Sequence, residues 1–283
     1  ATRSIPIIFI SAMSEVGDKS KGFSLGAVDY ITKPFQIVEV KARVQTHLCL
    51  RRAMQALANQ NQILDAQVRE RTRMIEETQL EIIYRLSRAA EFRDLETGQH
   101  IKRISHFCRT ISRELGCDQE TGDLIFHASP MHDIGKIGIP DHILLKPCGF
   151  TPDEMEVMKG HASMGADILG NSKSPYLKMA AEIALNHHES WDGGGYPNGK
   201  RADAISLAAR IMKICDIYDA LRSKRPYKPT LDHLKAVDII RHGDGRTDPK
   251  HFDQDILGIF EQNHQLFQDI FEAHTAIKHV IST

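Results

Sequence analysis

No two cysteines in this sequence stand in a CxxC spacing, and the five present (Cys49, Cys108, Cys117, Cys148 and Cys215) are odd in number. That argues against a thiolate zinc site or a full disulfide framework, and a reduced, cytoplasmic chain with buried thiols is expected. Long apolar runs are missing as well. The longest, Ile5 to Met13, is far too short to span a bilayer, and the first residues lack the charged-then-apolar layout of a signal peptide. No membrane partner is expected. A surplus of either charge is also missing, since the formal net charge is −1. There is then no whole-molecule field to draw in DNA, and any anionic ligand must be held by a local site. Finally, no glycine or proline occurs from His47 until Gly98, so nothing in that stretch interrupts a helix.

What is present is otherwise ordinary. Hydrophobic residues make up 41% and charged residues 26% of 283, enough for two modest domains. The first residue is alanine rather than methionine, which is expected of a piece of a longer gene product. The unusual count is histidine, at 15.

Three regions differ in pattern. Residues 5–10, IPIIFI, read as a strand buried on both faces, and a second short strand is expected at Ala27–Thr32, before Lys33-Pro34. An amphipathic stretch separates them, giving a βαβα rhythm. From about His47, Met54, Asn61, Val68, Ile75 and Ile82 recur every seven residues, with Leu50, Leu57 and Leu64 interleaved. Either a single long helix packed on its own domain or a parallel coiled-coil dimer would produce this seam. The uninterrupted heptads favour the dimer, with Asn61 setting register. From about Leu80 onward, helical segments cut by Gly/Pro loops predict an α-helical bundle.

That bundle carries the chemistry. Glu96 and His100 in ETGQH lie four apart, on one face of a helix. His132-Asp133, His161, His187-His188 and Asp216 follow. A lone histidine on a helix is more often a hydrogen-bonded core residue than a ligand. Eight candidate ligands within apolar helical segments are different, because burying so many ionisable groups is costly unless cations compensate them. Eight exceed the needs of one ion and imply two or three sharing a carboxylate. Imidazole with carboxylate suits iron, manganese, zinc, cobalt or nickel.

Four segments match a known pattern in order: EFRDLETGQHIKR from Glu91, HDIGKIGIPDHILLKP from His132, HHESWDGGGYPNG from His187 and DIYDALRSKRPYK from Asp216. With His132-Asp133 and Gly195-Tyr196-Pro197 intact, residues 85–255 resemble an HD-GYP domain, the bacterial branch of the HD phosphohydrolases that degrades cyclic di-GMP. The resemblance implies that Asp133 bridges two metals, with His100, His132, His161, His187, His188 and Asp216 completing their shells. Glu96 matches a residue of members that hold a third metal. Iron or manganese are the foremost candidates. Lys136 is expected to meet the scissile phosphate, and Arg225 and Lys228 to hold phosphates of the dinucleotide. Tyr196 borders the substrate cleft in the family, so base contact and simple loop packing are both open. Asp192 and Glu189 are expected to orient ligand histidines. Ala202, Ile205-Ser206-Leu207 and His251-Phe252-Asp253-Gln254 depart from the usual pattern, at positions that are not ligands.

The N-terminal region resembles the back half of a response-regulator receiver, with Ser11 as switch hydroxyl and Lys33 as the lysine of the last strand. Its phosphoacceptor half is not in the sequence, so phosphorylation is not expected; the segment should be poorly ordered or complete its sheet with another chain. The expected fold is mainly α, an HD-domain helical bundle over 83–283, preceded by a partial receiver (1–46) and a coiled-coil linker helix (47–82) that dimerises. The expected activity is metal-dependent hydrolysis of cyclic di-GMP to pGpG, with GMP as the end product left open, in second-messenger signalling. The alternatives are another cyclic dinucleotide at the same site, or a non-catalytic scaffold that docks a diguanylate cyclase through the GYP loop.

Overall fold

A computed structural model of the chain describes residues 5–12, 20–21, 23–94, 98–223 and 230–275. The chain divides into two compact units, Ala1–Glu77 and Thr78–Thr283.

In the first unit, β1 (Ile8–Ser11) and β2 (Asp29–Thr32) pair in parallel, with Ile8 opposite Asp29 and Ser11 opposite Thr32. The expected burial of the first strand on both faces does not hold. Phe9 and Ile10 are 37% and 45% exposed, because the described sheet has only two strands. The strand also begins later than IPIIFI suggests, beyond Pro6, which has no N–H for a ladder.

Helix α1 (Ile37–Glu91) starts ten residues before the expected His47 and runs unbroken for 55 residues. Its residues are mostly good helix formers, and ion pairs one turn apart, Arg73 with Glu77 and Arg85 with Glu81, line its surface. Of the apolar heptad positions, Met54, Leu57, Leu64, Val68, Ile75 and Ile82 are each more than half exposed, and Leu50 is 48% exposed.

Among the described residues of the second unit there are eight further helices: α2 (Gln99–Glu114), α3 (Gln119–Ala128), α4 (Asp141–Leu144), α5 (Pro152–Leu169), α6 (Pro175–Asn186), α7 (Leu207–Arg222), α8 (His233–His242) and α9 (Gln254–Ala273), and they form one main core and a small second cluster at Ile139, Ile143 and Leu144. Several starts follow the usual side-chain rules. Asp118 and Asp232 accept backbone N–H bonds at the starts of α3 and α8, and Thr151 with Glu154 forms a reciprocal capping box on α5. The centre is aromatic: Phe107 of α2 stacks on Phe267 of α9 at 4.6 Å, and Tyr218 of α7 meets both rings edge-on. Ile104, Ile183, Ile211 and Phe260 are fully buried around them. This is the helical bundle that the sequence pattern predicts. Cys108 and Cys215 are buried in it, but Cys49 and Cys148 are exposed; the first lies on the surface of α1 and the second in a loop. No helix among the described residues is long and apolar enough to cross a membrane.

Candidate metal centre

Five segments deliver the ligand candidates. His100 sits in the first turn of α2, and His132-Asp133 follow a short 3-10 turn (Ser129–Met131) after α3. His161 is midway along α5, His187-His188 end α6, and Asp216 lies within α7. Gly135 lets the turn after Asp133 press against α5. A Cβ there would come within 1.9 Å of the His161 carbonyl oxygen, so no other residue fits.

The side chains gather into two sets. Asp133, His161, His187 and His188 each place one ligand atom within 4.8 Å of the others, and His100, His132 and Asp216 do the same. Asp133 faces both. Its Oδ1 is 3.3 Å from His161 Nε2 and 3.6 Å from His187 Nε2, while Oδ2 is 3.1 Å from His132 Nε2. Glu96, Arg225 and Lys228 lie outside the described residues.

The far side of each imidazole explains the near side. His132 Nδ1 donates to the Ser129 carbonyl (3.0 Å), His161 Nδ1 to Met158 (2.7 Å) and His187 Nδ1 to Ala184 (2.9 Å). His100 Nδ1 donates to the Asp219 carboxylate at 2.7 Å. With the proton on Nδ1, the Nε2 atoms of these four histidines turn a lone pair inward. His161 Nε2 and His187 Nε2 then face each other 3.3 Å apart, beside an Asp133 oxygen. Three electron-rich atoms converging in a buried space are stable only with a cation among them. The arrangement fits divalent metal, and nitrogen with carboxylate oxygen suits the first-row transition ions.

Electrostatics agree. Burial pushes the imidazole of His161 down to about 4 and that of His188 well below its ordinary value, so both stay neutral. Burial alone would raise the Asp133 carboxyl, but Lys136 and His132 bring it well below the usual range. Lys136, in the 3-10 turn Ile134–Gly138, holds its ammonium 2.8 Å from Asp133 Oδ2.

Tyr196 packs on the ligands. Its ring stacks on His188 at 4.6 Å and meets His161 edge-on at 6.4 Å. The loop that carries it is held by Glu189, whose buried carboxylate accepts the backbone N–H groups of Asn198 (2.8 Å) and Lys200 (2.9 Å). This corrects the expectation that Glu189 orients a ligand histidine. Asp192 is corrected likewise, since it accepts the N–H of Gly194 at 3.0 Å. Both carboxylates are taken up by backbone N–H groups of the glycine-rich loop.

Sequence reasoning missed three groups. Asp219 orients His100, and a DxxD spacing on one helix could have signalled it. Arg103 grips Asp219 with two bonds. Lys213, one turn before Asp216, donates to the His188 carbonyl at 3.2 Å, and burial lowers its ammonium to about 8.

Comparison with known proteins is consistent with this geometry. The family described as HD domain matches residues 50–251. A Vibrio cholerae protein named "Probable cyclic di-GMP phosphodiesterase" is 41% identical over 95% of this chain and 63% of its own length. A cyclic di-GMP phosphodiesterase response regulator of Xanthomonas campestris is 38% identical over 85% of this chain and 64% of its own. The chain thus spans under two thirds of these relatives. The solved structure of a V. cholerae cyclic GMP-AMP specific phosphodiesterase shares the fold, with a TM-score of 0.50 and 19% identity over 70% of this chain and 51% of that one.

Proposed function

This chain belongs to the HD-domain family, and on that premise we propose that it is a metal-dependent phosphodiesterase that hydrolyses cyclic di-GMP to pGpG. The observation that carries the reading is Asp133, whose two carboxylate oxygens face different ligand sets. His161, His187 and His188 would hold one ion and His100, His132 and Asp216 the other, with Asp133 between them. Divalent ions bound there supply Lewis acidity toward a phosphate and lower the pKa of water. Iron and manganese are the proposed occupants. The relatives' names point to cyclic di-GMP as the substrate.

The chain's own residues do the remaining work. Lys136 places a cation at the mouth of the centre, where it stabilises charge gathering on the phosphate oxygens. Tyr196 and the carbonyl-bonded Nδ1 atoms keep the imidazoles fixed, so little reorganisation is needed on reaction. Arg225 and Lys228 are assigned to the dinucleotide phosphates on the match of their motif.

The regulatory frame is part of the proposal. Residues 1–46 are read as part of a receiver, supported by the parallel β1–β2 pair and the bond from Lys33 N to Ser11 O at 2.9 Å. The exposed heptad seam of α1 supports a homodimer through 47–82. A hydrolase of a bacterial second messenger acts in the cytoplasm, which is the proposed location.

The decisive assay incubates purified chain, loaded with Mn(II) or Fe(II), with cyclic di-GMP and with competing cyclic dinucleotides. Turnover is expected with cyclic di-GMP preferred, and the His132→Ala/Asp133→Ala double variant should abolish it. Activity surviving that double change would remove this centre from the reaction.

A further inference from the structure

Outside the ligand sets, a buried polar cluster among the described residues touches the centre directly. Asp219 of α7 is 1% exposed, Arg103 of α2 is 5% and His100 is 4%. Arg103 Nε donates to Asp219 Oδ1 at 2.5 Å and its Nη2 to Oδ2 at 2.8 Å, a two-pronged grip across 116 residues of sequence. The same Oδ2 accepts His100 Nδ1 at 2.7 Å and the Ser223 hydroxyl at 3.1 Å. Arg103 Nη2 also reaches Ser223 Oγ at 3.1 Å.

His100 differs from the other inward-facing imidazoles. His132, His161 and His187 bond through Nδ1 to carbonyls of their own segments, fixed by the local helix. His100 depends on a side chain from another helix. A side chain is free to rotate unless something holds it, and here the guanidinium fork holds it in the plane that His100 needs.

We propose that Asp219, locked by Arg103, is a positioning residue that fixes the His100 tautomer and so keeps Nε2 available as a metal donor. The inference rests on the metal centre proposed above and adds a residue pair to it. A carboxylate can only accept, so it forces the proton onto Nδ1. An asparagine in its place would give its oxygen to Arg103 and turn its amide N–H toward His100. That would favour the opposite tautomer, with Nε2 protonated and unable to bind an ion.

Two measurements test this, and neither reads hydrolysis. The first is the long-range proton–nitrogen spectrum of the metal-free wild-type protein, with His100 assigned through His100→Gln. It should show Nδ1–H. The second is titration with Mn(II) alone. Asp219→Asn should weaken one class of site by roughly 10- to 100-fold and leave the other class unchanged. A wild-type His100 carrying its proton on Nε2 overturns the proposal, and so does an Asp219→Asn protein that binds both ions normally. If Asp219→Asn fails to fold, the wild-type spectrum still decides. Lack of turnover on cyclic di-GMP would count against the proposed substrate and leave these two results standing.

Discussion

Lys136 Nζ lies 2.8 Å from the Asp133 carboxylate, the group that faces both ligand sets. A lysine held there is too valuable a neighbour to be a surface charge, since it helps to keep Asp133 ionised. Its ammonium is compact and directional enough to meet a phosphate oxygen at the same place. Replacing it with methionine keeps the stem and removes the charge. Turnover of cyclic di-GMP by Lys136→Met should fall by about 100- to 1,000-fold, while metal content per chain, measured by elemental analysis, stays near that of the wild type. An equal loss of metal would mean that Lys136 serves the ligands rather than the substrate.

Tyr196 gives a sharper distinction. The ring stacks on His188, and burial pushes its phenol up, so it is poorly placed to ionise. If packing is its role, the ring matters and the hydroxyl does not. Tyr196→Phe should retain turnover within about threefold, whereas Tyr196→Ala should lose about tenfold in metal affinity as His188 loosens. A large rise in KM for Tyr196→Phe, with normal metal content, would instead point to a hydroxyl contact with the substrate.

These contrasts show what the sequence could and could not reveal. The ligand histidines were legible because each sits in a motif whose spacing is local, and the structure brings the described ones together. The bundle was legible because Gly/Pro loops punctuate its helices. Arg103 was not, because its bond to Asp219 joins two helices and leaves no mark on local spacing; for Asp219 the DxxD spacing with Asp216 was the one local signal. Glu189 was misread for the opposite reason. It adjoins His188 in sequence, but a turn directs its carboxylate to the backbone of Asn198 and Lys200. The burial of the first strand was overestimated because an apolar run records a preference for cover, and the described two-stranded sheet leaves Phe9 and Ile10 exposed.

The seam of α1 makes a prediction about association. Leu57 and Leu64 are more than half exposed, and leaving such a stripe in water is unfavourable by roughly 25 cal/mol for each Å² that a partner could cover. Leu57→Glu/Leu64→Glu places like charges across a parallel dimer interface. Light scattering should report a dimer for the wild type and a monomer for the variant. An unchanged mass would mean that the seam is not where copies meet.

The buried imidazoles also set how the metal-free protein responds to acid. His161 is 2% exposed, and burial holds it down to about 4, against about 6.5 in an unfolded chain. Between those values the unfolded state binds a proton that the folded state refuses. Stability therefore rises with pH through this window and is lost as pH falls, by about 1.4 kcal/mol per unit and about 3 kcal/mol in all for this one group. His188, also held low by burial, acts in the same direction. His132 acts in the opposite one: burial would lower it, but Asp133 and Asp216 raise it, so its contribution is present in acid and fades above about pH 6.5. Below about pH 6.5 the contribution of His132 is constant, so the depressed groups set the slope there. Thermal midpoints of chelator-treated protein should drop steeply from pH 6.5 to pH 4.5, and His161→Gln should flatten that slope. Saturating Mn(II) should raise the midpoint more at neutral pH than near pH 4, where a proton on His161 must first be displaced. A midpoint that did not change with pH in the metal-free protein would mean that these histidines are not buried as a neutral cluster.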